Sequence, residues 1–250
     1  DLSGMRLRAD KPIQVIGGHS CGRVPDGSTG FCDHLEQALP PDETVTESYV
    51  LTLPLAPNPT AAPQPVTLRL AAVRSDTTVR FSPEVSPPLE LRLGGAPAEL
   101  TLSGDSARDV LVTGDAPFSA AYYLWGQTAL DPSAVGDSAD PSMSLLVPIA
   151  QYRREYIFIA SDTYDANYVN VVAQENTTVL LDGASLDATA RSEVGDGWGV
   201  WRVRLERGKQ IHTLNASAPV GLSVYGYGRF TSYMYPGGQD LARLTVIEPI

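Results

Sequence analysis

The feature that most constrains this chain is that it repeats itself. Val66 to Phe81 (VTLRLAAVRSDTTVRF) and Tyr168 to Gly183 (YVNVVAQENTTVLLDG) each carry a strand-like run, a polar turn, and Thr-Thr-Val opening a second run. Glu99 to Gly114 parallels Trp201 to Ala216, and Ala116 to Gly126 (APFSAAYYLWG) parallels Ala218 to Gly228 (APVGLSVYGYG). The openings agree, Ser48 to Leu53 (SYVLTL) with Glu155 to Ala160 (EYIFIA), and the tails align Asp140 to Ile149 with Gly238 to Ile247. Self-similarity at a period of about a hundred residues means two copies of one structural unit rather than a solenoid of short repeats.

Within each copy the signal is β. Val66-Thr67-Leu68-Arg69-Leu70, Glu99-Leu100-Thr101-Leu102 and Trp201-Arg202-Val203-Arg204-Leu205 alternate apolar and polar, the pattern of strands with one buried face. The 22 glycines and 20 prolines interrupt nearly every run before it reaches helical length. Only Asp33 to Leu39 has the character of a short helix. Six or seven short strands per copy predict tandem antiparallel β-sandwiches, an all-β chain with an internal repeat. The expected division is residues 47–150 and 151–250 as two sandwich units, with residues 1–46 a partial unit. Lys11 to Gly18 resembles the Ala-Pro strands and Cys32 to Pro41 the tails, so this portion reads as half of a third unit. A half sandwich exposes a sheet edge and an apolar face. Residues 1–41 are therefore expected to pack on a neighbouring unit or to be completed by an upstream segment.

The totals exclude several function classes. The net charge of −11 repels phosphate backbones, which argues against nucleic-acid binding. No stretch approaches the roughly 18 apolar residues of a membrane span, and Asp1 to Asp10 has no apolar signal-peptide core.

Four residues form a mirror pattern: His19, Cys21, Cys32 and His34. The two cysteines in a Gly/Pro-rich segment suit a disulfide in an oxidising compartment. The alternative is a Cys₂His₂ zinc site, with ligands at i and i+2 of strands sharing a face. His212 stands apart and reads as structural. Asp131, Asp137 and Asp140 cluster in one loop, and Asp162, Asp165 and Asn167 in the equivalent loop of the other copy. Such oxygen-rich loops suit calcium, but neither follows the D-x-D-x-D-G pattern and Asp is an ordinary turn residue, so no cofactor is the leading expectation. The aromatic residues form the best candidate recognition surface, since exposed Tyr and Trp anchor proteins and sugars. Trp125, Phe230, Tyr233 and Tyr235 are the candidate binding residues, whereas Tyr225 and Tyr227 share a strand face and are assigned to the core. Catalysis lacks a nucleophile–base–acid set, a G-x-S-x-G elbow, an H-E-x-x-H or a phosphate loop.

The segments Ile16-Gly17-Gly18-His19-Ser20-Cys21, Cys32-Asp33-His34-Leu35-Glu36-Gln37 and Leu39-Pro40-Pro41 resemble the IgGFc-binding protein N-terminal domain family, as does Ser232-Tyr233-Met234-Tyr235-Pro236-Gly237-Gly238 near the other end. The resemblance implies an exported β-rich module with an adhesive or scaffolding role, and it does not imply antibody binding. The Ala, Arg and Pro content matches a GC-rich bacterial source, which argues against antibody as the natural ligand. The resulting expectation is a non-catalytic surface, secreted or periplasmic module that binds a protein or glycan. A hydrolase of extracellular polymers and a strand-exchanging assembly subunit are the alternatives.

Overall fold

The computed structural model describes residues 2–58 and 60–244. The chain is nearly all β, in several antiparallel sheets. An extended arm leads into a two-stranded ribbon of β1 (Val15–Gly22) and β2 (Asp33–Leu39). The next eight strands are β3 (Ser48–Leu51), β4 (Val66–Ala72), β5 (Thr77–Ser82), β6 (Leu89–Leu91), β7 (Ala98–Leu102), β8 (Val110–Gly114), β9 (Phe118–Leu124) and β10 (Ser142–Leu145). One turn of helix, α1 (Pro132–Val135), lies between β9 and β10. Then come β11 (Arg153–Ile159), β12 (Ala166–Gln174), β13 (Val179–Leu181), β14 (Ala184–Ser185), β15 (Ser192–Gly195), β16 (Trp198–Arg204), β17 (Ile211–Gly228) and β18 (Thr231–Pro236).

The first sandwich pairs a sheet of order β3-β8-β5-β6 with one of order β10-β9-β4-β7. The second has β11-β17-β13-β14 facing β18-β17-β12-β16-β15. The strand order of the two sandwiches thus coincides, apart from the added β15. The 18-residue β17 does the work of β8 and β9 together: its first half pairs with β11 and β13, its second with β12 and β18. A shared internal contact accompanies the shared order. The Tyr49 hydroxyl donates to the Phe118 carbonyl at 2.5 Å, and the Tyr156 hydroxyl donates to the Val220 carbonyl at 2.6 Å. In each case a tyrosine on the first strand pins the start of the aromatic strand across the sandwich.

Alternation places the cores. Leu51, Val79 and Val112 of one sheet meet Leu68, Leu70, Leu102 and Phe118 of the other. In the second sandwich Tyr156, Phe158, Val179 and Leu214 meet Val169, Val171, Trp201 and Val224. The two sandwiches are then joined by a third packed layer. The outer faces of β12, β16 and β17 carry Tyr168, Val172, Trp198, Val200, Tyr225 and Tyr227, which pack on the first sandwich. Val50 and Leu111, on the outer face of β3 and β8, are covered there and only 5% and 8% exposed.

Two sequence expectations are corrected. Asp33–Leu39 is a strand, not a helix: only Leu35 is buried, and β1 supplies the backbone partners that a lone helical turn would lack. The tail alignment also shifts. Strand pairing makes Thr231–Pro236 the counterpart of β10, because β18 lies beside β17 as β10 lies beside β9. Residues 245–247 of the aligned segment lie outside the described residues. Tyr225 and Tyr227 are buried as expected, in the layer between the sandwiches.

The ribbon does not stand free. β2 packs on β10 as β10 packs on β18, and the hairpin tips meet through Gly126 N to Val24 O at 2.9 Å, Gly30 N to Thr128 Oγ1 at 2.9 Å, and Phe31 against Phe230 at 6.4 Å. The segments that follow the three hairpins are stitched by the buried Gln151. Its Nε2 donates to the carbonyls of Thr44 and Ala242, and its Oε1 accepts from Ala242 N. Leu244 N donates to Glu43 O beside them.

Candidate functional site

The open side of the second sandwich, between β11 and β18, forms a groove of about 480 Å³ lined by Ile157, Ile159, Tyr164, Tyr233, Tyr235 and Gly237 among others. Its geometry follows from the strands. Tyr233 and Tyr235 are alternate residues of β18, so they share a face, and their rings stack at 6.1 Å. Gly226 lies opposite Tyr233 in the ladder, and a Cβ there would fall 2.4 Å from the Tyr233 ring. The bare glycine lets the ring cross the strand, so that the Tyr233 hydroxyl donates to Asn167 Oδ1 at 2.6 Å. The Tyr235 hydroxyl donates to the Ile159 carbonyl and accepts from Ile159 N at 3.1 Å. Both backbone groups at that edge of β11 are therefore satisfied by one phenol. Tyr164 meets Tyr233 edge-on at 4.7 Å. Burial pushes both Tyr233 and Tyr235 phenols up, so they stay neutral donors.

The four predicted aromatic residues are not brought together. Tyr233 and Tyr235 line the groove. Phe230 sits at the β17–β18 turn with φ of +55°, 47% exposed, between Phe31 and the Arg229 guanidinium. Trp125 is half-buried beyond the end of β9, its Nε1 donating to Thr67 Oγ1 at 3.1 Å. Ile157 and Ile159 were missed. Their signal was the unbroken apolar run Tyr156 to Ala160, which puts hydrophobic residues on both faces of a strand.

Cys21 and Cys32 form a disulfide in the ribbon. With both sulfurs consumed, His19 instead accepts from Cys21 N through Nδ1, and His34 pairs with Glu36 at 3.1 Å. Among the described residues no three His, Cys, Asp or Glu side chains are grouped for a metal. The acidic loops make turns and pairs: Asp131 caps α1, Asp137 pairs with Arg229, Asp165 with Arg207, and Asp162 accepts from Gln210. Asp140 differs. Its Oδ1 is buried with no hydrogen-bond partner, and burial, with the nearby Asp33 charge, pushes its carboxyl up to about 6.

Two further charged clusters lie within the fold. Arg202 bridges the sandwiches, pairing with Asp109 and donating to Leu53 O at 2.9 Å, while Asp109 accepts from Leu53 N at 2.8 Å. Around them Tyr225 donates to Asn170 Oδ1 and accepts from Leu55 N, and Asn170 donates to Thr52. His212 is buried, stacked on Phe158, with Asp182 at 2.7 Å on one nitrogen and the Lys209 carbonyl at 3.0 Å on the other. Its two nitrogens are thus both occupied.

Comparison with known proteins gives one clear result. The human IgGFc-binding protein is 24% identical over the whole of this chain, which spans 4% of that protein's length. Two solved structures, an anti-sigma factor domain-containing protein and one from Clostridium clariflavum, cover over nine-tenths of both chains at 8% and 10% identity, with TM-scores of 0.22 and 0.20 that carry no argument. The pattern of the family described as IgGFc binding protein matches residues 1–226, the greater part of the strands and the whole Cys21–Cys32 ribbon, and on that extent the chain belongs to the IgGFc-binding protein family.

Proposed function

We propose that this chain is an exported, non-catalytic binding and scaffolding module that contacts a protein or glycan through the second sandwich. The observation that carries the reading is the tyrosine-lined groove beside exposed isoleucines, on a rigid sheet rather than in a cleft with convergent polar groups. The disulfide supports an oxidising, extracellular or periplasmic location. The catalytic alternative finds little in the geometry. The carboxyl that is pushed up, Asp140, faces another carboxylate between hairpin tips rather than a groove. The human relative is named for binding IgG Fc, so purified Fc is a natural probe alongside glycan arrays and mucin-type glycoprotein.

The test is immobilised chain challenged with those probes, with the Tyr235→Ala variant in parallel and extracellular polysaccharides and peptides offered as substrates. Saturable binding that weakens at least tenfold in Tyr235→Ala, without turnover, supports the reading. Product release from any polymer, or binding indifferent to Tyr235, overturns it.

A further inference from the structure

The two sandwiches share a strand order but not the treatment of one face. Tyr49 and Tyr156 are equivalent by their matched hydrogen bonds, which makes Val50 the counterpart of Ile157. Val50 is paired with Leu111, and both lie under the second sandwich. Ile157 is paired with Thr213, Ile159 with Ile211, and these face outward with nothing over them: Ile157 is 76% exposed, Ile159 and Ile211 61% each. Leu180, paired with Asn215, continues the same face. Single exposed apolar residues are normal, but three isoleucines contiguous across two strands, extended by a leucine, form a patch that marks a contact surface.

We propose that the outer face of β11, β17 and β13 is a self-complementary contact surface, on which a second copy of this chain packs across a twofold axis. This deepens the binding reading by naming a partner for the same region. The occupant follows from three observations. First, the equivalent face of the first sandwich is covered by an outer β-sheet face, so a sheet is what fits this position. Second, the charges at the patch are few and partly balanced: Thr213 and Asn215 separate the apolar residues, Asp182 beside Thr213 is paired with Lys209 at 2.9 Å, and Glu155 stands at one end. A chain of net charge −11 can meet its own copy there without opposing like charges directly. Third, among the described residues the other exposed large hydrophobics lie on the arm, the ribbon and loops. A second copy can therefore offer only this same face as an apolar outer sandwich sheet, which makes the contact isologous and closed. Two such faces pack with strands nearly aligned, as sheets do within a sandwich. The patch is small, so the dimer is weak.

Sedimentation velocity of the full chain from micromolar to near-millimolar concentration reads the association directly. The expected result is a monomer–dimer shift that Ile157→Lys weakens at least tenfold, while Ile13→Lys on the arm leaves it unchanged. Ile157→Cys adds a second reading: under oxidation it forms a symmetric cross-link between copies. Position 157 is exposed, so neither change disturbs the core, and near-ultraviolet circular dichroism verifies this. A strict monomer at the highest concentration overturns the proposal, as does a dimer indifferent to Ile157→Lys or one abolished by Ile13→Lys. The probe-binding assay with Tyr235→Ala fails or succeeds separately, so loss of the dimer does not decide the binding reading.

Discussion

Set side by side, the two sandwiches show how one strand order is finished in two ways. In the first, β10 brings Ser142 and Ser144 to its open side, and the second sandwich supplies the tyrosines that close it, Tyr168, Tyr225 and Tyr227. In the second, β18 carries Tyr233 and Tyr235 at the corresponding ladder positions and closes its own side. The outer faces diverge as well: Val50 and Leu111 are sealed, Ile157 and Ile211 are bare. Small residues where a neighbour enters and large ones where none does make the first sandwich dependent on the second, and leave the second with a free surface. We propose that both arose from one duplicated unit, with side chains at the open side adapted to position.

The severest way to break this dependence is Arg202→Ala. It removes the buried partner of Asp109 and the donor to Leu53, leaving a carboxylate uncompensated between the sandwiches. Loss of one member of a buried pair costs about 3–5 kcal/mol. Urea unfolding followed by tryptophan fluorescence should show that loss, and a cost below about 1 kcal/mol would mean the sandwiches are held by the apolar layer alone.

A paired truncation sharpens the contrast of faces. Val50→Ala removes two methyl groups from a sealed contact and should cost about 2 kcal/mol, whereas Ile157→Ala should change monomer stability by less than about 0.5 kcal/mol. Equal costs in thermal unfolding at low concentration would show that the two faces are alike after all.

The smallest effect is pH-dependent. Asp140 has its carboxyl raised from 3.8 to about 6, so the folded chain binds more protons than the unfolded between those values. Stability from this group is therefore greatest below about pH 4 and declines as pH rises toward 6. Asp140→Asn should match the parent in unfolding free energy below pH 4 and exceed it above pH 6, by about 1–2 kcal/mol allowing for screening. A variant that is less stable above pH 6 would mean the carboxylate has a stabilising partner at the hairpin tips.

Much of this architecture was legible in the chain. Period-two alternation in Val66 to Leu70 and Trp201 to Leu205 reads as strands because sheet geometry sends alternate side chains to opposite faces. The disulfide was legible from Cys21 and Cys32 and their setting. What escaped was whatever depends on a distant partner. Tyr225 and Tyr227 alternate as core residues do, yet which core they enter is decided by Leu55 and Ala56, some 170 residues away. The strand Asp33–Leu39 has weak β-propensity and takes its form from β1. Tyr233 and Tyr235 are candidates from the sequence alone, but the groove they line is completed by Ile157 and Ile159 of β11, which join it only because β11 and β18 are neighbours.

Gln151 has a mechanical consequence. It ties Thr44, where the chain enters the first sandwich, to Ala242, where it has left the second. A pulling force applied between those two points would be borne first by the hydrogen bonds of one buried amide and by the Glu43–Leu244 bond beside it, with the sandwiches outside the line of tension. Under load the two sandwiches would hang from this clasp as a side loop, intact until the clasp parted.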